Sequence, residues 1–419
     1  MDISKFRDII QRVNVFKVYS SLLVPVVVGL VAVVFIILAS LMGGKLKRDM
    51  AKGSIAVGRE VQSLSKSAVA DEQWRVEQEY QLAYERDADR IAVLARQSTQ
   101  RRLLSYKIFP EPKDTSTLIF EEFGRQYRDA IDGLIARVNA RDCPTGAELE
   151  RHLRSSISSP RSRRTVRRSY RALSEVDAEI RDAVCRAKAE SASVYANPAD
   201  LSGYGFWERY EYDVGMKKSI EDCWYWQLGY WIIEDVIDTI GTLNSGSDSV
   251  LISPAKRLLA VSFAAGEQRF GRSSRFSRSG AREAEDRPRY VLSIEDGLAE
   301  SCTGRFSDEN IDVVHFEMSV VVSAKAVLPF MQQLCSAKEH KFRGWDDKGQ
   351  EQIFRRNQIT VLESRITSID REDETHNLYR YGEDAVVQLY LICEYIFDRN
   401  GCDKIKPESV RESQKRPEE

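Results

Sequence analysis

The sequence predicts an α+β protein. Its parts are a single N-terminal transmembrane helix, a helical or coiled-coil stalk, a helical middle region and a C-terminal ferredoxin-like αββαββ domain with a disordered insert. Three observations carry this. Residues 18–44 read VYSSLLVPVVVGLVAVVFIILASLMGG, 27 residues without a charge. Apolar residues after Lys45 recur at heptad-like intervals. The C-terminal half runs helix–strand–strand twice. The expected boundaries are a short tail at 1–17, the transmembrane helix at 18–44, the stalk at 45–106 and the middle region at 107–215. The ferredoxin-like domain follows at 216–400 with its insert at 265–310, and a charged tail closes the chain at 401–419.

The uncharged run is long enough to be an anchor. A helix needs about 20 apolar residues to cross a hydrocarbon core about 30 Å thick, and no other segment approaches this. A cleaved signal peptide would have a shorter apolar core and a small-residue cleavage site, whereas Leu41-Met42 stands where small residues would be needed. Pro25 falls in the first turns, where losing one amide donor costs least. Lys5, Arg7, Arg12 and Lys17 precede the run, and Lys45, Lys47, Arg48 and Lys52 follow it. The flanks are nearly balanced, so the positive-inside rule does not orient the helix.

Composition bounds the function classes. The chain has 419 residues, 42% hydrophobic and 30% charged, with a formal net charge of -2. Bulk charge therefore does not make it a polyanion binder. Seven cysteines, Cys143, Cys185, Cys223, Cys302, Cys335, Cys393 and Cys402, form no CxxC pair. Zinc-ribbon and thioredoxin-like readings fail on that ground. Cys335 and Cys393 sit in apolar patterns and read as small buried hydrophobes. In an oxidising compartment, Cys143 with Cys185 and Cys302 with Cys402 are open pairings.

In the stalk, Val57, Val61, Leu64 and Ala68 follow 4-3-4 spacing. Tyr80, Tyr84, Ala88, Ile91 and Ala95 resume it after a break near Asp71. Such a stripe suits a coiled coil; the alternative is an amphipathic helix folded onto its own domain. Phe109-Pro110-Glu111-Pro112 then breaks the helix. Leu118, Phe123, Tyr127, Ile131, Leu134 and Val138 predict a helix from about Thr115 to Ala140. Residues 151–171 carry eight arginines and no acid, read either as an anion-binding site or as a solvated loop leading into a helix at about 165–192. Residues 195–212 are rich in glycine and aromatics. Gly203-x-Gly205 lacks the third glycine and the preceding strand of a dinucleotide fingerprint, so aromatic packing against the C-terminal domain is expected.

The C-terminal half opens with a helix at 217–243, with Ile220, Trp224, Leu228, Trp231, Val236, Ile240 and Leu243 near one stripe. Residues 255–264 read as a strand. An Arg/Ser/Gly segment bearing Arg269, Arg272, Arg275, Arg278 and Arg282 follows, too poor in apolar residues to pack, with a short strand expected at Tyr290 to Ile294. Further strands are expected at 313–323, 358–369 and 385–397, and a helix at 324–338. Two αββ halves predict a four-stranded antiparallel sheet with both helices on one face, leaving edge strands open to pairing.

No constellation of chemistry emerges. His152, His315, His340 and His376 lie at no i, i+3 or i, i+4 interval from one another, so no helical metal pair exists. There is no G-x-S-x-G elbow and no P-loop. Asp346-Asp347 and the run 370–374 lack calcium-loop spacing. Glu234-Asp235 read as solvated or capping charges. Trp224, Tyr225, Trp226, Tyr230 and Trp231 read as helix-on-sheet packing rather than a cofactor box. No catalytic, cofactor-binding or metal residue is therefore expected, and no cofactor.

Anchor, stalk and the repeated helix–strand–strand order resemble PilO-type inner-membrane alignment proteins of type IV pili and the M-type components of type II secretion. More specific are residues 224–244, 253–263, 312–334 and 379–397, the last reading YRYGEDAVVQLYLICEYIF. They look like an uncharacterised family of planctomycete membrane proteins related to the pilus-like envelope protein of Akkermansia, a family with no assigned reaction. The resemblance implies a cytoplasmic N-terminus and a body outside the inner membrane. The function expected is that of a non-enzymatic, single-pass scaffold in a pilus-like or secretion-like envelope complex. Its partners would be the membrane, with anionic lipid contact, and a second ferredoxin-like protein in a homodimer or heterodimer; nucleic acid is not expected. The alternative is a membrane-tethered binding or sensory module whose Arg-rich segments grip anionic ligands.

Overall fold

The computed structural model describes residues 20–67, 71–114, 116–157, 170–212, 215–264, 286–345 and 348–414. The chain divides into two compact units, Met1–Ala88 and Asp89–Glu419.

In the first unit, α1 spans Ser20–Met50. A five-residue π-helical stretch at Ala51–Ile55, which contains Gly53, passes it into α2 at Ala56–Ser67. Among the described residues one helix, Pro25–Ser65, is long and apolar enough by length and composition to cross a membrane. Its side chains, Val33, Phe35 and Ile36 among them, are exposed. The expected N-terminal tail lies outside the described residues. The third helix, α3 at Asp71–Ser98, runs from this unit into the next. The expected seam residues Val57, Val61, Leu64, Tyr80, Tyr84 and Ile91 are all exposed in the single chain.

The second unit is built around one sheet. Its short strands are β1 (Ala140–Arg141) and β2 (Val194–Tyr195), and its long ones are β3 (Ala255–Ser262), β4 (Ile311–Ser323), β7 (Ile359–Ser368) and β8 (Val386–Asp398). The order is β1-β2-β3-β4-β8-β7. The last four strands are mutually antiparallel, and β1 and β2 join β3 in parallel. The sheet is thus six-stranded and mixed where four antiparallel strands were expected. Two-residue strands are too short to leave a period-2 signal.

The helices of this unit are α4 (Leu118–Arg137), α5 (Gly146–Ile157), α6 (Tyr170–Glu190), α7 (Tyr204–Glu208), α8 (Met216–Leu243), α9 (Val327–Leu334) and α10 (Glu408–Ser413). The centre is α8, which meets β3, α9 and α4. Trp224, Trp226, Trp231, Ile232 and Ile233 are fully buried although they point in different directions around the helix. A helix apolar on most sides must be covered on most sides, and the aromatics divide accordingly. Trp224 meets Phe109, Trp226 meets Tyr127, Phe206 and Phe263, and Trp231 meets Phe397. The aromatic 195–212 stretch packs here as expected.

Three expectations are corrected. The helix expected at 324–338 is a 3-10 turn followed by α9 alone, ending at Leu334. The chain then forms an unforeseen hairpin, β5 (Lys338–Phe342) with β6 (Gln352–Arg356). The strand expected at Tyr290–Ile294 reduces to one bridge, Tyr290 to Val314. Within residues 286–310, expected to belong to a disordered insert, Tyr290, Val291 and Ala299 are buried. Val291 donates its amide to Val313 O at 2.8 Å, and Trp224 Nε1 donates to Tyr290 OH at 2.8 Å. This segment continues the sheet edge where β3 ends. The arginines from Arg269 to Arg282 lie outside the described residues.

Candidate functional site

Within the second unit, a group of buried polar side chains gathers where the chain leaves α3. Residues 99–105 lie along α8 as a strap with Thr99, Arg101, Leu103 and Ser105 buried. Three contacts clamp it. Trp231 Nε1 donates to Arg102 O at 2.9 Å, Leu104 N donates to Gln227 Oε1 at 2.8 Å, and Arg101 Nη1 donates to Trp231 O at 2.8 Å. Gly401 closes the strap's start: a Cβ there would meet Arg96 O at 2.5 Å and Thr99 Oγ1 at 2.6 Å.

Asp235 organises the junction. Its Oδ1 accepts from Arg356 Nη2 at 2.6 Å and from Arg101 Nη2 at 3.2 Å, and its Oδ2 accepts from Tyr395 OH at 2.7 Å. Arg101 also pairs with Glu234. His340 of β5 completes the set: Nε2 donates to Gln100 O at 3.0 Å, and Nδ1 accepts from Arg356 Nη1 at 3.2 Å. Strap, helix, hairpin and strand β8 thus converge on one carboxylate.

The electrostatics follow from this geometry. Burial alone would raise the Asp235 carboxyl, but the Arg101 and Arg356 guanidiniums and the Tyr395 hydroxyl outweigh it and hold the group well below the usual carboxylate range. Burial, then the charges of Arg356 and Arg101, push His340 down to about 3, so the imidazole is neutral. Asp238, one turn beyond Asp235 and paired with Arg137, is pushed by burial up to about 6. Every polar atom of Asp235 is engaged and both His340 nitrogens are occupied. The arrangement ties the strap, α8, the hairpin and β8 together.

This corrects the sequence reading of Glu234-Asp235 as solvated or capping charges. Asp235 is 2% exposed. A signal existed: Trp224, Leu228, Trp231 and Asp235 continue one 4-3-4 stripe, which places the carboxylate on the buried face.

The remaining candidates are distributed. His315 is buried and accepts through Nδ1 from Leu298 N at 3.1 Å. His376 Nδ1 lies 2.9 Å from Tyr381 OH. Arg154 pairs with Glu150 at 3.0 Å on the surface, while residues 158–169 and Asp346-Asp347 lie outside the described residues. Gly203, at φ +86, lets the Trp226 ring and Tyr127 OH approach where a Cβ would stand, a packing role. All seven cysteines carry free thiols. Among the described residues no group of three or more His, Cys, Asp or Glu is placed to hold a metal ion.

One groove of about 940 Å³ is lined by Asp182, Lys325, Arg371, Arg380 and Asp384 among others. Its cations are committed internally. Arg371 donates to Gly382 O and Asp384 O, Arg380 to Asp182, and Lys325 to Asp384.

No family model and no curated protein sequence matches the chain. Among solved structures, a crystal structure from Akkermansia muciniphila is similar to it at 10% identity. The match covers 77% of this chain and 96% of that one, with a TM-score of 0.23.

Proposed function

We propose that the chain is a non-enzymatic, single-pass membrane protein, a structural or assembly component of a pilus-like or secretion-like envelope complex. In this reading α1 is the anchor and α2 with α3 forms the stalk. The N-terminus is cytoplasmic and the sheet unit stands outside the inner membrane. The four antiparallel strands β3-β4-β8-β7, with α8 and α9 packed together, are read as an α-first ferredoxin-like unit that pairs with a like protein. The observation that carries the proposal is the exposure of Val57 and Val61 in α2 and of Tyr80, Tyr84 and Ile91 in α3, beyond an apolar helix. Such a stripe gains stability only by meeting another helix. Cross-linking in native membranes tests it: oligomers or co-purifying membrane partners are expected, and a strictly monomeric chain would overturn it. A reporter fused after Glu419 reads the side of the membrane, with an extracytoplasmic signal expected.

A further inference from the structure

The helix that carries the apolar run does not stop where the run does. It continues as α1 to Met50, and the π-helical stretch takes it on through Ile55. Four cations, Lys45, Lys47, Arg48 and Lys52, lie in this extension with one acid, Asp49, and all five are exposed. From Ser20 to Gly44 the uncharged part of α1 rises about 37 Å. A hydrocarbon core is about 30 Å thick, and a bilayer with its headgroups about 40–45 Å. Centred in the bilayer, α1 therefore brings Lys45 out among the headgroups. Lys47 and Arg48 follow within about 5 Å, and Lys52 within about 10 Å.

Helical geometry aims these side chains. The Cα–Cβ bonds of a helix tilt towards its N-terminus, and the membrane lies on that side of all four residues. Their long stems thus lean back onto the headgroup layer. The i, i+3, i+7 spacing gathers Lys45, Arg48 and Lys52 along one stripe, while Leu46 and Met50, also exposed, lie one turn apart on another face.

The second unit holds its exposed cations itself: Arg137 pairs with Asp238, Arg154 with Glu150, Lys217 with Glu412 and Lys325 with Asp384. Among the described residues no carboxylate pairs with Lys45, Lys47, Arg48 or Lys52. Their charge is open to an anion outside the chain.

We infer that Lys45, Lys47, Arg48 and Lys52 bind anionic phospholipid headgroups in the leaflet where α1 leaves the membrane. This rests on α1 being the span and specifies which lipid surrounds its end. The Arg48 guanidinium takes a phosphate through two N–H donors, and the lysine ammoniums add point charges. A phosphatidylcholine headgroup carries its own cation, so the site favours phosphatidylglycerol, whose negative charge is uncompensated. Each Lys or Arg near such a surface strengthens the attraction about fivefold, with Asp49 opposing it.

Native mass spectrometry of the detergent-solubilised full-length chain tests this, with phosphatidylglycerol and phosphatidylcholine of the same acyl chains as the two probes. The wild type is expected to bind phosphatidylglycerol at least about tenfold more tightly. Replacing all four cations by Gln should remove the preference, and Lys45→Gln with Arg48→Gln alone should give an intermediate value. Arg86→Gln with Arg90→Gln, which removes two exposed cations of α3 instead, should keep it in full. So should Lys45→Arg, Lys47→Arg and Lys52→Arg together, which preserve the charge. Circular dichroism checks that each variant folds. Equal binding of the two lipids by the wild type, or a preference that survives loss of the four cations, overturns the proposal. Carbonate washing of native membranes separates the failures. A retained chain without lipid preference leaves α1 as the span and the scaffold reading standing, and a released chain removes both.

Discussion

Asp235 and Arg356 are ion-paired at 2.6 Å with side chains 4% and 2% exposed, although 121 residues separate them in sequence. One belongs to the central helix and the other to the hairpin that follows α9. With Arg101 and Tyr395 they make a buried network in which both oxygens of Asp235 accept hydrogen bonds, a kind of site where losing one member costs far more than the pair gains over an apolar substitute.

Replacing Asp235 by Ala leaves two buried guanidiniums without their shared acceptor. The unfolding free energy is expected to fall by about 3–5 kcal/mol. Urea denaturation of the detergent-solubilised chain measures this. Glu234→Gln, whose carboxylate side chain is 23% exposed, should cost about 1 kcal/mol or less. Equal losses for the two would refute the central place given to Asp235.

Acid should weaken the fold in two successive windows. His340 titrates at about 3 when folded, below the ordinary 6.5. The unfolded chain therefore takes up the proton first, and stability present above pH 6.5 is lost as pH falls towards 3. Asp235, also depressed, adds a loss below the ordinary aspartate range. Asp238, raised to about 6, acts the other way: its contribution is present at low pH and is lost as pH rises through 6. His340→Gln keeps a donor and an acceptor but does not titrate. Melting temperatures at pH 7 and 4.5 should fall less for this variant than for the wild type, and parallel falls would exclude His340 as the source.

Gly203→Ala should destabilise more than Gly246→Ala. Both glycines have positive φ, +86 and +83, so each substitution carries a backbone penalty of about 1–2 kcal/mol. At Gly246 a Cβ meets nothing within 4 Å, whereas at Gly203 it falls 2.7 Å from the Trp226 ring. Thermal denaturation of the two variants gives the comparison, and equal shifts would mean that the ring moves aside freely.

Anchoring by α1 predicts that Val33→Arg with Ile36→Arg raises the cost of insertion by about 5–7 kcal/mol, from about 2.5–3.5 for each arginine. The double variant should leave the carbonate-washed membrane fraction. Retention at the wild-type level would count against α1 as the span.

Much of the fold was legible because its signals are local. The four long strands fall within about two residues of their expected limits, since alternation along a strand records which face is buried. Glu394 marks the limit of that reading. Alternation along residues 387–394 sets Glu394 on the face opposite Leu389, Leu391 and Cys393, yet it is fully buried, bonded by Thr303 at 2.9 Å and Arg305 at 2.5 Å. A period shows that two faces differ, not what covers the second.

What the sequence by itself determined is the apolar run now seen as α1, the helical character of the residues after it and the order of the long elements, because each depends on residues adjacent in the chain. Only the tertiary structure decided the strap, the two short parallel strands, the hairpin and the burial of Asp235. The partners of that carboxylate come from 134, 121 and 160 residues away. A charge is stabilised in a core by the groups folding brings to it, and no local pattern records them.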